Sequence, residues 1–270
     1  MPLDVVALVL VAAVLHATWN ALLKPIDERL PVFALGLVLL GGPCLVAAPF
    51  VVPASDAVLF VAASVALHVI YNLLFTRSYA VGDFNQVYPI ARGLSPLLVA
   101  VIAAIVISER PGAQQLAGII VISCGLATLA GRPQAHERLA IVLAIATGVA
   151  IAGYSVVDGI GVRHAGDVVA YSVWLFAGQA VATAAYLGRG IRVALPRWRR
   201  SLVVGTLAVA GYGTVIWAQL HANLGGVAAL RETSVIVAAV IGAVVFRERF
   251  GTRRMIASVI VVAGVALLSA

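Results

Sequence analysis

Two arginines, Arg92 and Arg231, stand 139 positions apart, each in a stretch that is otherwise almost free of charge. A guanidinium presents its N–H donors as a planar fork, which suits the paired oxygens of a carboxylate or phosphonate. Its charge can instead be balanced by an acid, and Glu232 and Asp158 are the acids in comparable surroundings. Either at least one arginine recognises an anionic or zwitterionic molecule, or the two acids neutralise the pair and the group is structural. Glu232, Asp158 and His16 are also the candidates for carrying a proton in such a setting. Further polar side chains recur at helical spacing. His16 and Asn20 are four residues apart and share a helix face. His68, Tyr71 and Asn72 form a second cluster, and Tyr88 lies one turn before Arg92. Tyr154 and Asp158 repeat the spacing of His16 and Asn20, with Asp158 close to the expected end of its apolar run. Each of these either lines a cavity for a substrate or makes a hydrogen bond between helices, except Asp158, which is either a pathway carboxylate or a solvated charge at a helix end. Pro89 and Pro96 bracket Arg92. Each removes a backbone donor, so either this stretch breaks locally, exposes carbonyls and acts as a hinge, or the prolines are purely structural, as is common in membrane helices.

The elements that position these groups follow from composition. Of 270 residues, 63% are hydrophobic and 11% charged, with a mean hydropathy of +1.08. A soluble domain carries about 45–50% apolar and about 25% charged residues. The chain is therefore read as an integral membrane protein. Uncharged runs long enough to cross the hydrocarbon core occupy Val5–Leu23, Leu30–Ser55, Ala57–Thr76, Pro111–Gly131, Leu139–Val157 and Val168–Gly188. Ser201–Leu230, at 30 uncharged residues, is too long for one span and is expected to turn at Asn223–Gly226. Two spans with internal charges, Phe84–Ser108 and Gly226–Phe246, and a last one ending at Ala270 bring the expectation to ten helices. Continuous rather than alternating apolar runs exclude a β-barrel. Met1–Asp4 has no positive charge and the following run is long, so the first span is read as uncleaved. Cys44 and Cys124 lie inside apolar runs and suggest neither a disulfide nor a metal site.

The chain repeats itself. Residues 92–131 and 231–270 share 13 identities over 40 positions, among them Arg92/Arg231, Ser95/Ser234, Glu109/Glu248 and Gly125/Gly264. The expected units are 1–131 and 137–270, each of five helices. Five is odd, so the second copy enters the membrane from the opposite side, and the fold class is an all-α polytopic membrane protein of two inverted five-helix repeats. Inversion is expected to put Arg92 and Arg231 in opposite halves of the membrane, flanking a central cavity from two sides. Glu109 and Glu248, beside Arg110 and Arg249, are read as turn residues at span ends.

Four segments carry a family resemblance: His16–Lys24 (HATWNALLK), Tyr88–Pro96 (YPIARGLSP), Ser108–Gly125 and Arg247–Gly264. The sequence resembles the drug/metabolite transporter superfamily in its ten-helix EamA-type branch. The second copy has Val235 where the first has Pro96, so a symmetric kink is not expected. The resemblance implies an exporter or exchanger of amino acids, metabolites, nucleotide sugars or drugs. The leading expectation is secondary active transport of a small polar metabolite by alternating access. The alternatives are a multidrug or cation exporter of the same fold and a non-transporting scaffold or channel subunit. The phosphate loop GxxxxGK[ST], HExxH and GxSxG are absent, and Ala80–Asp83 (AVGD) only approaches an aspartyl-protease motif, so no enzyme is expected. The expected partners are a small-molecule substrate and the lipid bilayer, with no nucleic acid and no cofactor, in a monomer or weak homodimer.

The net charge of +7 comes from 18 Lys+Arg against 11 Asp+Glu. With ten spans, Arg110 and Arg163 alone of the loop cations fall on the side of the termini, and the other 14 lie opposite. Positive residues favour the cytoplasm. The bias places both termini outside a cell membrane, against the cytoplasmic termini that the resemblance implies.

Overall fold

The computed structural model describes residues 1–81, 84–130, 138–247 and 251–269, without the side chains of 79, 80 and 84–86. Among the described residues every regular element is a helix. In chain order these are α1 (Leu3–Leu23), α2 (Arg29–Ala47), α3 (Ala57–Val81), α4 (Phe84–Val106), α5 (Ala113–Ala127), α6 (Arg138–Ala165), α7 (Val168–Leu187), α8 (Trp198–His221), α9 (Leu224–Arg231), α10 (Ser234–Val244) and α11 (Thr252–Ser269). Among the described residues eight apolar helical segments are long enough to cross a membrane, one of them, Val168–His221, containing both α7 and α8. The chain is a multi-pass membrane protein. Leu59, Ile105 and Val244 are 75%, 76% and 74% exposed, which places an apolar shell outward as lipid requires. All but Arg138 of the expected seam between the two units, near Arg132–Arg138, and likewise Glu248, Arg249 and the end of the AVGD stretch, lie outside the described residues.

Local chemistry sets several boundaries. The Asp167 carboxylate accepts from the Val169 amide at 2.7 Å and caps α7. The Asn223 side chain accepts from the Gly226 amide at 2.7 Å and caps α9, so the long uncharged run turns at Ala222–Asn223. Three expectations change. The α6 helix continues eight residues past Val157, so Asp158 is an interior group and not a solvated helix end. The α4 helix runs without interruption through Pro89 and Pro96, where a local break was one of the two readings. Pro96 has no N–H to give the Arg92 carbonyl, but the Ser95 hydroxyl donates to it at 3.2 Å, so the carbonyl is satisfied and the helix carries on. The segment that does divide holds no proline: α9 ends at Arg231 and α10 begins at Ser234.

The helices pack as α3 on α6, α1 on α8, α2 on α7 and α8, α4 on α6 and α9, and α5 on α11. Glycines allow the closest approaches, across helices rather than along one. A Cβ on Gly36 of α2 would lie 3.0 Å from the Gly205 Cα of α8, and one on Gly118 of α5 would lie 2.9 Å from the Gly264 carbonyl of α11. The Met1 amine donates to the Leu268 carbonyl at 3.3 Å, so both termini sit at one end of the bundle.

Candidate functional site

The site is built where α9 stops. Its eight residues are all buried, and Gly225 lies so close to α4 that a Cβ there would meet the Ala100 Cβ at 2.8 Å. The chain then tightens. The Glu232 amide donates to the Ala229 carbonyl at 3.1 Å, and the Thr233 amide and hydroxyl donate to the Leu230 carbonyl at 3.1 and 2.7 Å. These i to i−3 bonds close the helix as a 3-10 turn. Glu232 is thereby fixed in the interior with no solvent exposure. Arg92 Nε lies 3.1 Å from Glu232 Oε2, and Arg231 Nε lies 3.8 Å from Glu232 Oε1. The two arginines, expected on opposite sides of a cavity, converge on one carboxylate.

They are not equally satisfied. Arg92 Nη2 lies 2.7 Å from His16 Nε2 of α1, and its Nε donates to the Tyr88 hydroxyl at 3.3 Å. Arg231 faces the Tyr154 ring at 5.9 Å from its centroid, and its Nε and Nη2 have no hydrogen-bond partner among the described residues. Both oxygens of Glu232 likewise lack hydrogen-bond geometry, so its link to the arginines is ionic. A narrow cleft adjoins Arg92, lined by Tyr71, Phe75, Ser78, Tyr88, Thr147 and Ile151.

Asp158 forms a second centre on α6. Its Oδ1 accepts from the Tyr171 hydroxyl of α7 at 2.8 Å, and its Oδ2 accepts from the Tyr212 hydroxyl of α8. Asp158 therefore answers tyrosines and does not serve as the counter-ion of either interior arginine. Aromatic contacts join the two centres. His68 of α3 stacks on Tyr154 at 4.1 Å and meets Tyr212 edge-on at 5.5 Å, and Tyr71 meets Tyr154 edge-on at 5.8 Å. His68 is held by its own helix, Nδ1 lying 2.9 Å from the Ser64 carbonyl.

Six of the polar residues singled out in the sequence thus converge around Arg92 and Arg231: His16, His68, Tyr71, Tyr88, Tyr154 and Glu232. Asn20 does not join them, because its amide donates back to the His16 carbonyl at 2.8 Å. Asn72 lies in a separate groove with Phe33, Thr183 and Tyr186, between α2, α3 and α7. Pro89 and Pro96 sit within the unbroken α4. Tyr171 and Tyr212 escaped notice in the sequence; hydroxyls deep in apolar runs were the available signal. Glu109 does more than mark a turn. Its carboxylate pairs with Arg163 at 2.7 Å and accepts from the Leu224 amide at 2.5 Å, while Arg163 also donates to the Gln219 and Ala222 carbonyls. Gln115 Oε1 accepts from the Asn223 side chain (Nδ2) at 3.1 Å beside them. This clasp binds α4, α5, α6, α8 and α9 together at the end that holds the termini.

An apolar exterior around a charged interior defines a polytopic helical membrane protein. Residues 138–270 match the EamA-like transporter family. The fold as a whole is similar to a solved structure described as "Crystal structure of protein", with a TM-score of 0.73 at 16% identity, covering 98% of this chain and 96% of that one. No curated protein matches the chain in sequence.

Proposed function

We propose that the protein is a secondary active transporter, an exporter or exchanger, of a small polar metabolite such as an amino acid or another anionic or zwitterionic compound. The observation that carries this reading is Arg231. Its guanidinium is 5% exposed, and two of its nitrogens have no hydrogen-bond partner among the described residues. A buried charged donor left unanswered is costly, and a substrate carboxylate placed on its planar fork would supply the missing acceptors. Arg92 and Arg231 together carry one more charge than Glu232, so the centre is matched to a ligand with a negative end. In this reading Arg92, Arg231, His16, His68, Tyr71, Tyr88 and Tyr154 contact or frame the substrate.

Alternating access of two inverted five-helix halves, 1–131 and 137–270, is the proposed mechanism. The packing supports it, because exchanging each helix with the one five crossings away turns α3 on α6 into α8 on α1 and returns α5 on α11 to itself. Ser108 and Arg247, equivalent in the duplication, share a left-handed backbone at φ 56° and 54°. Ten crossings result when α5 is counted and α9 with α10 forms one. The clasp at Glu109 and Arg163 closes the end that holds the termini, while the pocket at Arg92 lies toward the other. That other end carries the excess of arginine, and we place it in the cytoplasm of a cell-membrane protein, with both termini outside.

Purified protein in vesicles, screened with labelled amino acids and small carboxylic acids, should show saturable uptake and counterflow with at least one of them. Arg231→Lys keeps the charge but loses the fork, and is expected to weaken that substrate by tenfold or more, roughly 1.4 kcal/mol. Unchanged affinity and rate in Arg231→Lys would remove Arg231 from recognition, and uptake without saturation or counterflow would point to a channel.

A further inference from the structure

Carboxylate recognition at Arg231 leaves the second polar centre without a task. Asp158 is fully buried, deep in a helix that crosses the membrane, yet the hydrogen bonds it receives come from neutral hydroxyls, those of Ser64, Tyr171 and Tyr212. Every neighbouring helix can be inspected for a compensating charge. From α3 come the Ser64 hydroxyl and His68, a titratable base that stacks on Tyr154 and lies within electrostatic reach of the carboxylate; α7 and α8 present Tyr171 and Tyr212. At this level α4 offers Val99 and Ala103, and α9 offers Leu224 and Ala228. On its own helix, Arg163 is committed to Glu109 and to the Gln219 and Ala222 carbonyls. No arginine or lysine pairs with Asp158 among the described residues. The other two candidates for a proton differ in this respect. Glu232 lies between two arginines, and His16 is committed to Arg92.

An ionised carboxylate inside a membrane is expensive without a cation, and a proton is the smallest cation that removes the expense. We infer that Asp158 takes up and gives back the proton that drives transport, an assignment that rests on the carrier reading above. The step is a simple binding: a hydrated proton forms an O–H bond on one carboxylate oxygen, and nothing is oxidised or reduced. That oxygen then changes from acceptor to donor. Tyr171 or Tyr212 must release it or turn to accept, which loosens α7 or α8 from α6. Tyr154 carries the change to the substrate centre, since it stacks on His68 and lies under Arg231. Loading of Arg231 and protonation of Asp158 thus act on the same ring.

Infrared difference spectra of the purified wild-type protein, recorded across an acid titration without substrate, should contain a protonated-carboxyl C=O band that Asp158→Asn abolishes and Glu232→Gln retains. Tyr212→Phe should keep the band and move its frequency, because one hydrogen bond to the acid is lost. In vesicles, Asp158→Asn should reduce pH-gradient-driven accumulation of the labelled amino acids to its level without a gradient, and Asp158→Glu should restore part of it. A band that persists unchanged in Asp158→Asn, or gradient-driven accumulation equal to wild type, overturns the assignment. If wild-type vesicles move none of the labels, the carrier reading fails, and the band still decides whether Asp158 binds a proton.

Discussion

The helix that carries Arg92 and the segment that carries Arg231 occupy equivalent places in the duplication and are built differently. The α4 helix contains two prolines and stays whole; Leu224–Val244 contains none and divides at Glu232–Thr233. A helix ends where its carbonyls find other donors and where a side chain must be delivered, and proline content alone does not decide it. In α4 the Ser95 hydroxyl replaces the donor that Pro96 lacks. In α9 the Thr233 hydroxyl and amide both take the Leu230 carbonyl, and the tightened turn delivers Glu232 to Arg92. One arginine thereby becomes well bonded and the other is left open.

The largest effect is expected from removing the charge that both segments share. Glu232→Gln leaves two buried guanidinium groups without a counter-ion, and breaking a buried ion pair on one side costs about 3–5 kcal/mol. Thermal unfolding in detergent should show it, and a variant as stable as wild type would mean that the interior is balanced elsewhere. The next test addresses the whole helix. Ser95→Ala should cost about 1 kcal/mol by stranding the Arg92 carbonyl, and much less when Pro96→Ala restores the backbone donor. Equal costs in both backgrounds would separate Ser95 from the proline. The smallest effect belongs to the divided segment. Thr233→Val should cost about 0.5 kcal/mol, because the Leu230 carbonyl keeps the Thr233 amide. A loss as large as that of Ser95→Ala would show that the hydroxyl, not the amide, holds the break.

Much of the molecule was legible in the sequence because membrane helices announce themselves by length and hydropathy. That Arg92, Arg231 and Glu232 are interior groups was legible from their isolation in apolar runs, but their meeting at one carboxylate was not, because inversion of the repeat put the arginines on opposite sides of a cavity. What stayed hidden depended on partners far apart in the chain. The sixth span seemed to stop at Val157 because a charge followed; the helix continues because Tyr171 and Tyr212, 13 and 54 residues away, meet that charge. A phenol in an apolar run leaves hydropathy almost unchanged, so neither tyrosine drew notice. The uninterrupted α4 was illegible for a similar reason, since a serine hydroxyl bonding one turn back has no signature of its own. Asn20 and Asn72 were grouped by spacing, but spacing does not say which neighbour a side chain will face.

The hydrogen bond from the Met1 amine to the Leu268 carbonyl has a consequence for the order in which the chain is written. With its beginning and end in contact, the protein is closed in space although open in sequence. A short linker from the last residue to the first, with new ends cut between 131 and 137, would produce a circular permutant in which the second half is synthesised first. Such a permutant is expected to assemble the same bundle if the insertion machinery reads each segment on its own terms, and its failure to fold would show that the order of synthesis matters.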